Sequence, residues 1–394
     1  MNALIDETIV KSIKKYSDEY LNEDVCQFDN DASASSFGWN FQVNAGIFLF
    51  LKYMPEVTDI KIESKAQDIE ITLIDEGKVF AQAKSSQDHT AIRDQKEKFK
   101  DAIISLARNP YERNQLVYIS NIPNTFKTAS NFFDNSIISY NDCLVGIKEE
   151  IDDTICSISK SIDKKIKDEK KSKKVEKLVQ LKEKIEKFHK ENLYISTIYP
   201  YYGNEQNRYI KISDTVLSFL TDTVGLSRED AISIKQQLLQ HWQLYFEHNS
   251  TIKDNNNCKK ITKEDLTWPI VAFLVDGNFP DIDTCLSFQP DLAIKKDVER
   301  IMNDPKSFYH ARYEFTNRVL QRYALFKKQS LGEMIKQPEL EFIRKYGREF
   351  IDEFVMFGNE DEQLTEYLTK VFLYRILVNN RYVQKVCKAV GVKA

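Results

Sequence analysis

The chain has 394 residues, a formal net charge of −4 and a pI of about 5.9. This length permits two or three domains, and a hydrophobic fraction of 42% is enough for a sizeable packed core. The slightly acidic balance excludes a protein that coats DNA through a uniformly basic surface. Any contact with nucleic acid therefore requires a local basic region.

The cysteines and the apolar segments predict a reduced, cytoplasmic protein. No two cysteines form a CxxC pair, and no histidine lies at zinc-finger spacing, which favours free thiols. The N-terminal residues have mixed charge and do not resemble a signal peptide. No run of about 18 apolar residues occurs, so we expect no membrane contact. The six cysteines are Cys26, Cys143, Cys156, Cys258, Cys285 and Cys387.

The first third of the chain, residues 1–140, is predicted to form a compact α/β unit. Asp75, Glu76 and Gly77 predict a tight turn between its second and third strands. The predicted elements are, in chain order, a helix over 5–22, a loop over 29–36, a helix over 38–52, strands over 57–63, 67–74 and 79–84, a helix over 92–107 and a strand over 115–120.

The next segment, residues 141–192, carries isoleucine and leucine at steps of three or four residues. This pattern predicts an antiparallel helical hairpin that turns near residues 170–172. One continuous long helix is the alternative, because no glycine or proline marks the turn. Residues 160–190 contain 13 lysines and six acidic residues. A solvated helical face, a contact with the DNA backbone and a docking arm all explain this excess.

The last segment, residues 193–394, is predicted to be a mostly helical regulatory or assembly domain that follows an extended link over 193–202. Its final helix is apolar nearly all round, which is typical of a helix buried in a core or an interface. We therefore expect assembly into a homo-oligomer. Helices are predicted over 212–226, 228–247, 261–275, 295–302, 308–327, 339–357 and 362–390, with an exposed loop over 254–257.

One set of polar residues in the α/β unit has the pattern of a phosphodiester-cleaving site. Such chemistry needs carboxylates to hold a metal ion and a cation beside the attacked phosphate. Gln82 and Lys84 lie two residues apart on the third strand, so both face the same way. Folding the hairpin at its turn brings Asp68 opposite them, and Glu63 ends the preceding strand.

These residues resemble the core of the PD-(D/E)XK nucleases, in which an Asp and a (Gln/Glu)-x-Lys motif share a β-hairpin. The Gln form resembles the Mrr-like branch of restriction endonucleases. The opening Phe37-Gly38-Trp39-Asn40-Phe41-Gln42 is similar to that of the CD-NTase-associated endonuclease effectors of bacterial anti-phage defence. A related domain occurs in the nuclease subunit of Lamassu systems, which work beside an SMC-like ATPase. The resemblance covers roughly residues 35–125.

The resemblance implies a role for each of the five residues. Asp68 would be the principal ligand of Mg²⁺ or Mn²⁺, and Gln82 would hold the ion, or a water bound to it, through its amide oxygen. Lys84 would orient the attacking water and offset charge on the phosphate. Glu63 would serve a second metal ion or support the first, and Gln42 would complete the pocket. An amide is a weaker Mg²⁺ ligand than the carboxylate that many relatives carry in place of Gln82.

The fold and function expected from the sequence follow from these points. The fold is an α/β N-terminal PD-(D/E)XK nuclease domain followed by a mostly α-helical region with a helical hairpin. The expected function is cleavage of double-stranded DNA by an enzyme that stays inactive until a partner, such as an SMC-like ATPase, or a signal drives its oligomerisation. A catalytically inactive scaffold and an RNA-directed nuclease are the alternatives. Asp68 and Lys84 taken alone also fit an ordinary exposed ion pair.

Overall fold

The computed structural model describes residues 33–391 except 65–66, 88–91, 110–112, 123–125, 127–135, 170, 203–204, 252–259, 278–295, 297–311, 331–334 and 352–361. The helix predicted over 5–22 and the loop predicted over 254–257 lie outside the described residues. The helix predicted over 295–302 also lies outside them, apart from Lys296.

The described part of the chain contains seven strands and eleven α-helices. The strands are β1 (Val57–Ile62), β2 (Ile69–Leu73), β3 (Lys78–Lys84), β4 (Asn114–Ser120), β5 (Ile137–Ser139), β6 (Leu193–Thr197) and β7 (Ile261–Thr262). The helices are α1 (Ser33–Tyr53), α2 (Ile92–Leu106), α3 (Val145–Asp168), α4 (Ser172–Glu186), α5 (Glu205–Ser218), α6 (Arg228–Thr251), α7 (Lys263–Gly277), α8 (Arg312–Gln329), α9 (Pro338–Tyr346), α10 (Glu362–Val378) and α11 (Asn380–Val390).

The seven strands form one mixed sheet in the order β5-β6-β4-β3-β2-β1-β7. The strands β1, β2 and β3 form an antiparallel meander, whereas β3, β4 and β6 run parallel. Parallel neighbours need a crossover connection, and α2 supplies it between β3 and β4. The expected α/β fold class is confirmed at this level.

The two faces of the sheet are buried in two separate hydrophobic clusters. On β3, Val79, Ala81 and Ala83 face the cluster that contains α1, whereas Phe80 faces the cluster that contains Phe99 of α2. Since side chains alternate along a strand, Gln82 and Lys84 continue the face of Phe80. The sheet therefore presents both polar residues on the α2 side.

The turn between β2 and β3 fixes the register of the hairpin. The Asp75 carboxylate accepts a 3.0 Å hydrogen bond from the Gly77 N–H, and Glu76 has a φ of 66°. A Cβ atom at Gly77 would lie 2.8 Å from the Arg113 carbonyl oxygen, so only glycine fits this turn. The resulting register pairs Ile69 with Ala81.

The helical hairpin is confirmed, and the single continuous helix is not formed. Helices α3 and α4 pack side by side, and Lys182 of α4 pairs with Asp163 of α3 at 2.7 Å. Ile158 and Ile162 of α3 and Ile185 of α4 are buried in one hydrophobic cluster. These apolar contacts explain why the chain reverses without a glycine or a proline.

The sheet extends beyond the boundaries expected at residues 140 and 192. The extended link predicted over 193–202 begins with β6, which lies between β4 and β5 in the sheet. The helix predicted over 261–275 begins instead with β7, where Ile261 pairs with Ile60. Thr262 and Asp265 then form reciprocal hydrogen bonds at the start of α7, which is a capping box.

Two further differences concern helix ends. Ser33–Ser36, predicted as part of a loop, form the first turn of α1. The helix predicted over 362–390 is divided into α10 and α11 at Asn379, whose carbonyl accepts the Tyr382 N–H at 2.8 Å. Asparagine favours such a capping position because its side chain competes for local backbone groups.

Most apolar residues of α10 are buried within the chain itself, and the exception is Val378 at its end, which is 37% exposed. Val371 and Leu373 are fully buried in the same cluster as residues of α8 and α9. The composition of this helix is thus explained by the core, and it gives no reason to expect a homo-oligomer. No helix in the described part is both long and apolar enough to cross a membrane.

Candidate active site

The candidate site is centred on the carboxylate of Asp68, one residue before β2. One oxygen, Oδ1, accepts a 3.0 Å hydrogen bond from Gln82 Nε2. The other, Oδ2, accepts hydrogen bonds from the Ala83 N–H at 3.0 Å and from Lys84 Nζ at 3.2 Å. The side chains of Asp68 and Lys84 are only 16% and 26% exposed. The hairpin therefore holds this ion pair in a partly buried position.

A second layer of residues fixes the Gln82 amide. Gln67 donates from Nε2 to the Ser105 carbonyl at 2.9 Å, so its Oε1 faces Gln82 and accepts from Gln82 Nε2 at 2.6 Å. The Ser64 hydroxyl accepts from the Gln67 N–H and donates to its carbonyl. This chain of bonds determines which end of the Gln82 amide faces Asp68. Within the described residues no hydrogen bond reaches Gln82 Oε1, which leaves this oxygen available to a water or a cation.

Glu63 and Gln42 extend the site toward α1. The Glu63 N–H donates to the Asp68 carbonyl at 2.8 Å, and Glu63 has a φ of 54° where the chain leaves β1. The Gln42 side chain donates a hydrogen bond to the Glu63 carboxylate. Partial loss of hydration and the nearby charge of Asp68 raise the pKa of Glu63, and the Gln42 hydrogen bond and Lys84 oppose this rise. The two carboxylates thus repel each other across the site.

A neighbouring ion pair on the same hairpin has the features of a contact that only stabilises the fold. Glu70 lies two residues beyond Asp68 and pairs with Lys78 at 2.6 Å. Burial raises the pKa of Glu70, but the hydrogen bond and charge of Lys78, with smaller contributions from the charge of Lys61 and a hydrogen bond with Ser64, outweigh it, so the pKa is lowered overall. No second carboxylate or ordered amide chain accompanies this pair among the interactions of the described residues. The Asp68–Lys84 pair differs, because both a second carboxylate and an ordered amide chain lie beside it.

All five side chains proposed from the sequence therefore lie in one connected set. Their proximity follows from the hairpin register and from the packing of α1 on the sheet. Sequence reasoning did not find Gln67 and Ser105, which are 38 residues apart. No local pattern marks Ser105, because it reaches the site only through the packing of α2 on the sheet.

The donor set of this site is small. Within the described residues no group of three or more His, Cys, Asp or Glu side chains is arranged to hold a metal ion. The site offers two carboxylates and one amide oxygen. Magnesium typically keeps several waters and takes one or two carboxylates from the protein, so these residues fit Mg²⁺ better than a metal that requires a complete protein shell.

No family model, curated protein or solved structure matches this chain.

The described histidines of the helical region contribute no second site. His241 stacks on Tyr245 and contacts the edge of Phe273. Burial lowers the pKa of His241 to about 4, so the imidazole is neutral at physiological pH. It is a partly buried aromatic residue of the helical region.

A buried polar network connects the site to the helical region. Asn121, just after β4, accepts from the Ser86 N–H at 2.9 Å and donates to the Ser86 and Tyr201 carbonyls at 2.8 and 2.9 Å. Ser86 follows Lys84 by two residues. The loops after β3 and β4 are thus joined to each other and to the segment after β6.

The same network continues into α1 and α6 through Tyr201. The Tyr201 hydroxyl accepts from Asn44 Nδ2 at 3.0 Å and donates to the Asn40 side-chain oxygen. Gln243 of α6 donates to Asn44 Oδ1 at 2.7 Å. Burial raises the pKa of Tyr201 far above its ordinary value, so the hydroxyl stays protonated. The position of α1, which carries Gln42, therefore depends on residues from the helical region.

Proposed function

We propose that this chain is a metal-dependent endonuclease that cuts double-stranded DNA. The observation that supports this most is the environment of the Asp68 carboxylate. Gln82 and Lys84 reach it from one strand, an ordered amide chain orients Gln82, and a second carboxylate lies beside it. The Glu70–Lys78 pair two residues away has none of these additions, so hairpin formation alone does not account for them.

Each residue has a role in this proposal. Asp68, Glu63 and Gln82 Oε1 would hold Mg²⁺, or Mn²⁺ in its place. The bound ion would polarise the phosphate and lower the pKa of a bound water. Lys84, kept in place by Asp68, would orient the attacking water and stabilise negative charge on the phosphate. Gln42 would hold the Glu63 carboxylate toward the site.

The resemblance of the motif extends the proposal to a biological role. We place the nuclease among the cytoplasmic effectors of bacterial anti-phage defence, restrained until activation. Activation would come from a partner, such as an SMC-like ATPase with accessory subunits, or from self-assembly. Cleavage of RNA, and a scaffold without catalysis, are the competing functions.

The test of the proposal is cleavage of plasmid DNA by the purified full chain with Mg²⁺, alone and with candidate partners. We expect cutting that a chelator abolishes and that Lys84→Ala reduces by roughly 10²–10³, the usual effect of removing one preorganised charge. RNA is assayed in parallel. If wild type and Lys84→Ala bind DNA or partners equally and neither cuts any nucleic acid, the chain is a scaffold.

Replacing Glu63 by glutamine separates metal binding from folding. The raised pKa means that the folded chain holds the Glu63 proton more tightly than the unfolded chain does. Stability is therefore lost as the pH rises through this raised pKa, and above it the charged carboxylate destabilises the metal-free protein. We expect Glu63→Gln to melt at a higher temperature than wild type at pH 8 with chelator.

The same variant should gain less from Mg²⁺, because it lacks one ligand. The difference between the two metal-free proteins should disappear when the pH falls below the ordinary pKa of glutamate. Thermal melting at both pH values, with and without Mg²⁺, measures this. Equal stabilisation of both proteins by Mg²⁺ would remove Glu63 from the proposed ligand set.

A further inference from the structure

The strongest charge segregation in the chain lies in the helical hairpin, at residues 160–190, which we call the basic arm. Its 13 lysines and six acidic residues give a net charge of +7. Because the whole chain carries −4, the other residues together carry −11. The lysine excess is therefore not a general property of this surface.

Most lysines of the basic arm are exposed and lack an ion-pair partner. Lys174, Lys182 and Lys190 pair with carboxylates at 3.7, 2.7 and 2.7 Å. Eight others are exposed, and among the described residues none of these eight forms an ion pair: Lys160, Lys164, Lys165, Lys167, Lys171, Lys173, Lys177 and Lys187. Their positive charge is available to a partner.

The start of α4 adds an electrostatic cost. Lys173 and Lys174 lie in its first turn, which contains no acidic residue. The helix dipole makes this end positive, and a like charge there is unfavourable. Anions bound near these lysines would relieve this repulsion.

The packing of the basic arm identifies the chemistry of the partner. Its apolar residues face each other or the core, and within the described residues Val179, at 40% exposure, is its one exposed large hydrophobic side chain. A helix that binds a membrane surface needs an apolar face, and protein interfaces are depleted of lysine. A rigid surface rich in lysine and poor in apolar groups fits a nucleic-acid backbone.

The basic arm lies on the same side of the sheet as the candidate site. Ile162 and Ile185 of the arm belong to the hydrophobic cluster that contains Phe80 and Phe99. Phe80 precedes Gln82 by two residues on the same face of β3. We propose that the basic arm binds the phosphate backbone of double-stranded DNA independently of its sequence. The choice of DNA as the polyanion rests on the proposed nuclease function.

The test is binding of a short fluorescent DNA duplex by the full chain in chelator, from about 50 to 200 mM salt. The arm variant replaces Lys164, Lys167, Lys171 and Lys177 by glutamine, which has a similar helix propensity. A matched variant replaces four exposed lysines elsewhere, Lys328, Lys336, Lys385 and Lys388. Melting temperatures establish that both variants are folded.

We expect the arm variant to bind at least about tenfold more weakly, with a salt slope smaller by about three to four, since each phosphate contact contributes about 0.9. The matched variant should stay within about twofold of wild type. Equal affinities for the two variants would overturn the proposal. So would a loss confined to duplex RNA, or to vesicles of phosphatidylcholine and phosphatidylserine, with DNA binding retained.

These outcomes are separable from those of the nuclease assay. If the arm variant loses DNA binding while wild type never cuts DNA, the proposed DNA binding by the basic arm is supported and the proposed nuclease function is wrong. If wild type cuts DNA and both lysine variants bind it as wild type does, the proposed nuclease function is supported and the proposed DNA binding by the basic arm is wrong.

Discussion

Replacing Asp68 by asparagine should abolish cleavage and the metal-dependent gain in stability together. The substitution removes the central carboxylate and leaves Lys84 Nζ and the Ala83 N–H facing a neutral amide. We expect kcat to fall by at least about a thousandfold, because a metal ligand is lost and Lys84 loses the carboxylate that keeps it in place. Lys84→Ala should differ, since it reduces cleavage but keeps the proposed metal ligands and so the Mg²⁺-dependent gain in stability. Cleavage rates and melting curves with and without Mg²⁺ measure both effects.

The matched control for Asp68→Asn is Glu70→Gln on the same hairpin. Both substitutions turn a carboxylate of a partly buried cross-strand pair with lysine into an amide, two residues apart on one face. We expect Glu70→Gln to keep near wild-type cleavage and Mg²⁺ response. If both substitutions reduce cleavage equally, the loss reflects damage to the hairpin, and the special role given to Asp68 is wrong.

The hairpin and its polar face could be predicted from the sequence because both depend on local patterns. Alternating isoleucines define β2, the Asp75–Gly77 turn defines its partner strand, and the register then places Asp68 opposite Gln82. The same reasoning predicted the reversal between α3 and α4, because the apolar residues of each helix are buried when the two helices pack together. The spacing of apolar residues and the residue types at the turn are therefore sufficient to predict the part of the site that lies within one hairpin.

The remaining parts depend on contacts between distant segments, which no local pattern records. The five residues of β6 belong to the sheet because β4 and β5 flank them. Their own sequence, which precedes Tyr199-Pro200, predicts only an extended link. Strand β7 has two residues, too few for any periodicity. The Gln67–Ser105 and Asn44–Tyr201 hydrogen bonds span 38 and 157 residues. Asparagine and tyrosine at such positions look like ordinary surface residues until the fold joins them.

Among these distant contacts, Asn121 should have the largest effect on stability. Its side chain is fully buried and forms three hydrogen bonds, two with Ser86 and one with the Tyr201 carbonyl. Asn121→Ala would leave these backbone groups without their partner, and the Tyr201 carbonyl among them is fully buried. Each unsatisfied buried group costs about 1–3 kcal/mol, so we expect the free energy of unfolding to fall by about 3–5 kcal/mol. Chemical denaturation followed by circular dichroism measures the loss.

Asn141→Ala provides the matched control, because Asn141 is exposed and its side chain is not part of this network. It should change the free energy of unfolding by less than about 0.5 kcal/mol. At a temperature where Asn121→Ala is still folded, its cleavage rate should also fall, since Ser86 lies two residues from Lys84 and loses its hydrogen bonds to Asn121. A variant as stable as wild type would mean that other groups satisfy Ser86 and Tyr201. A stable fold with reduced cleavage would instead assign Asn121 to the positioning of the Lys84 strand.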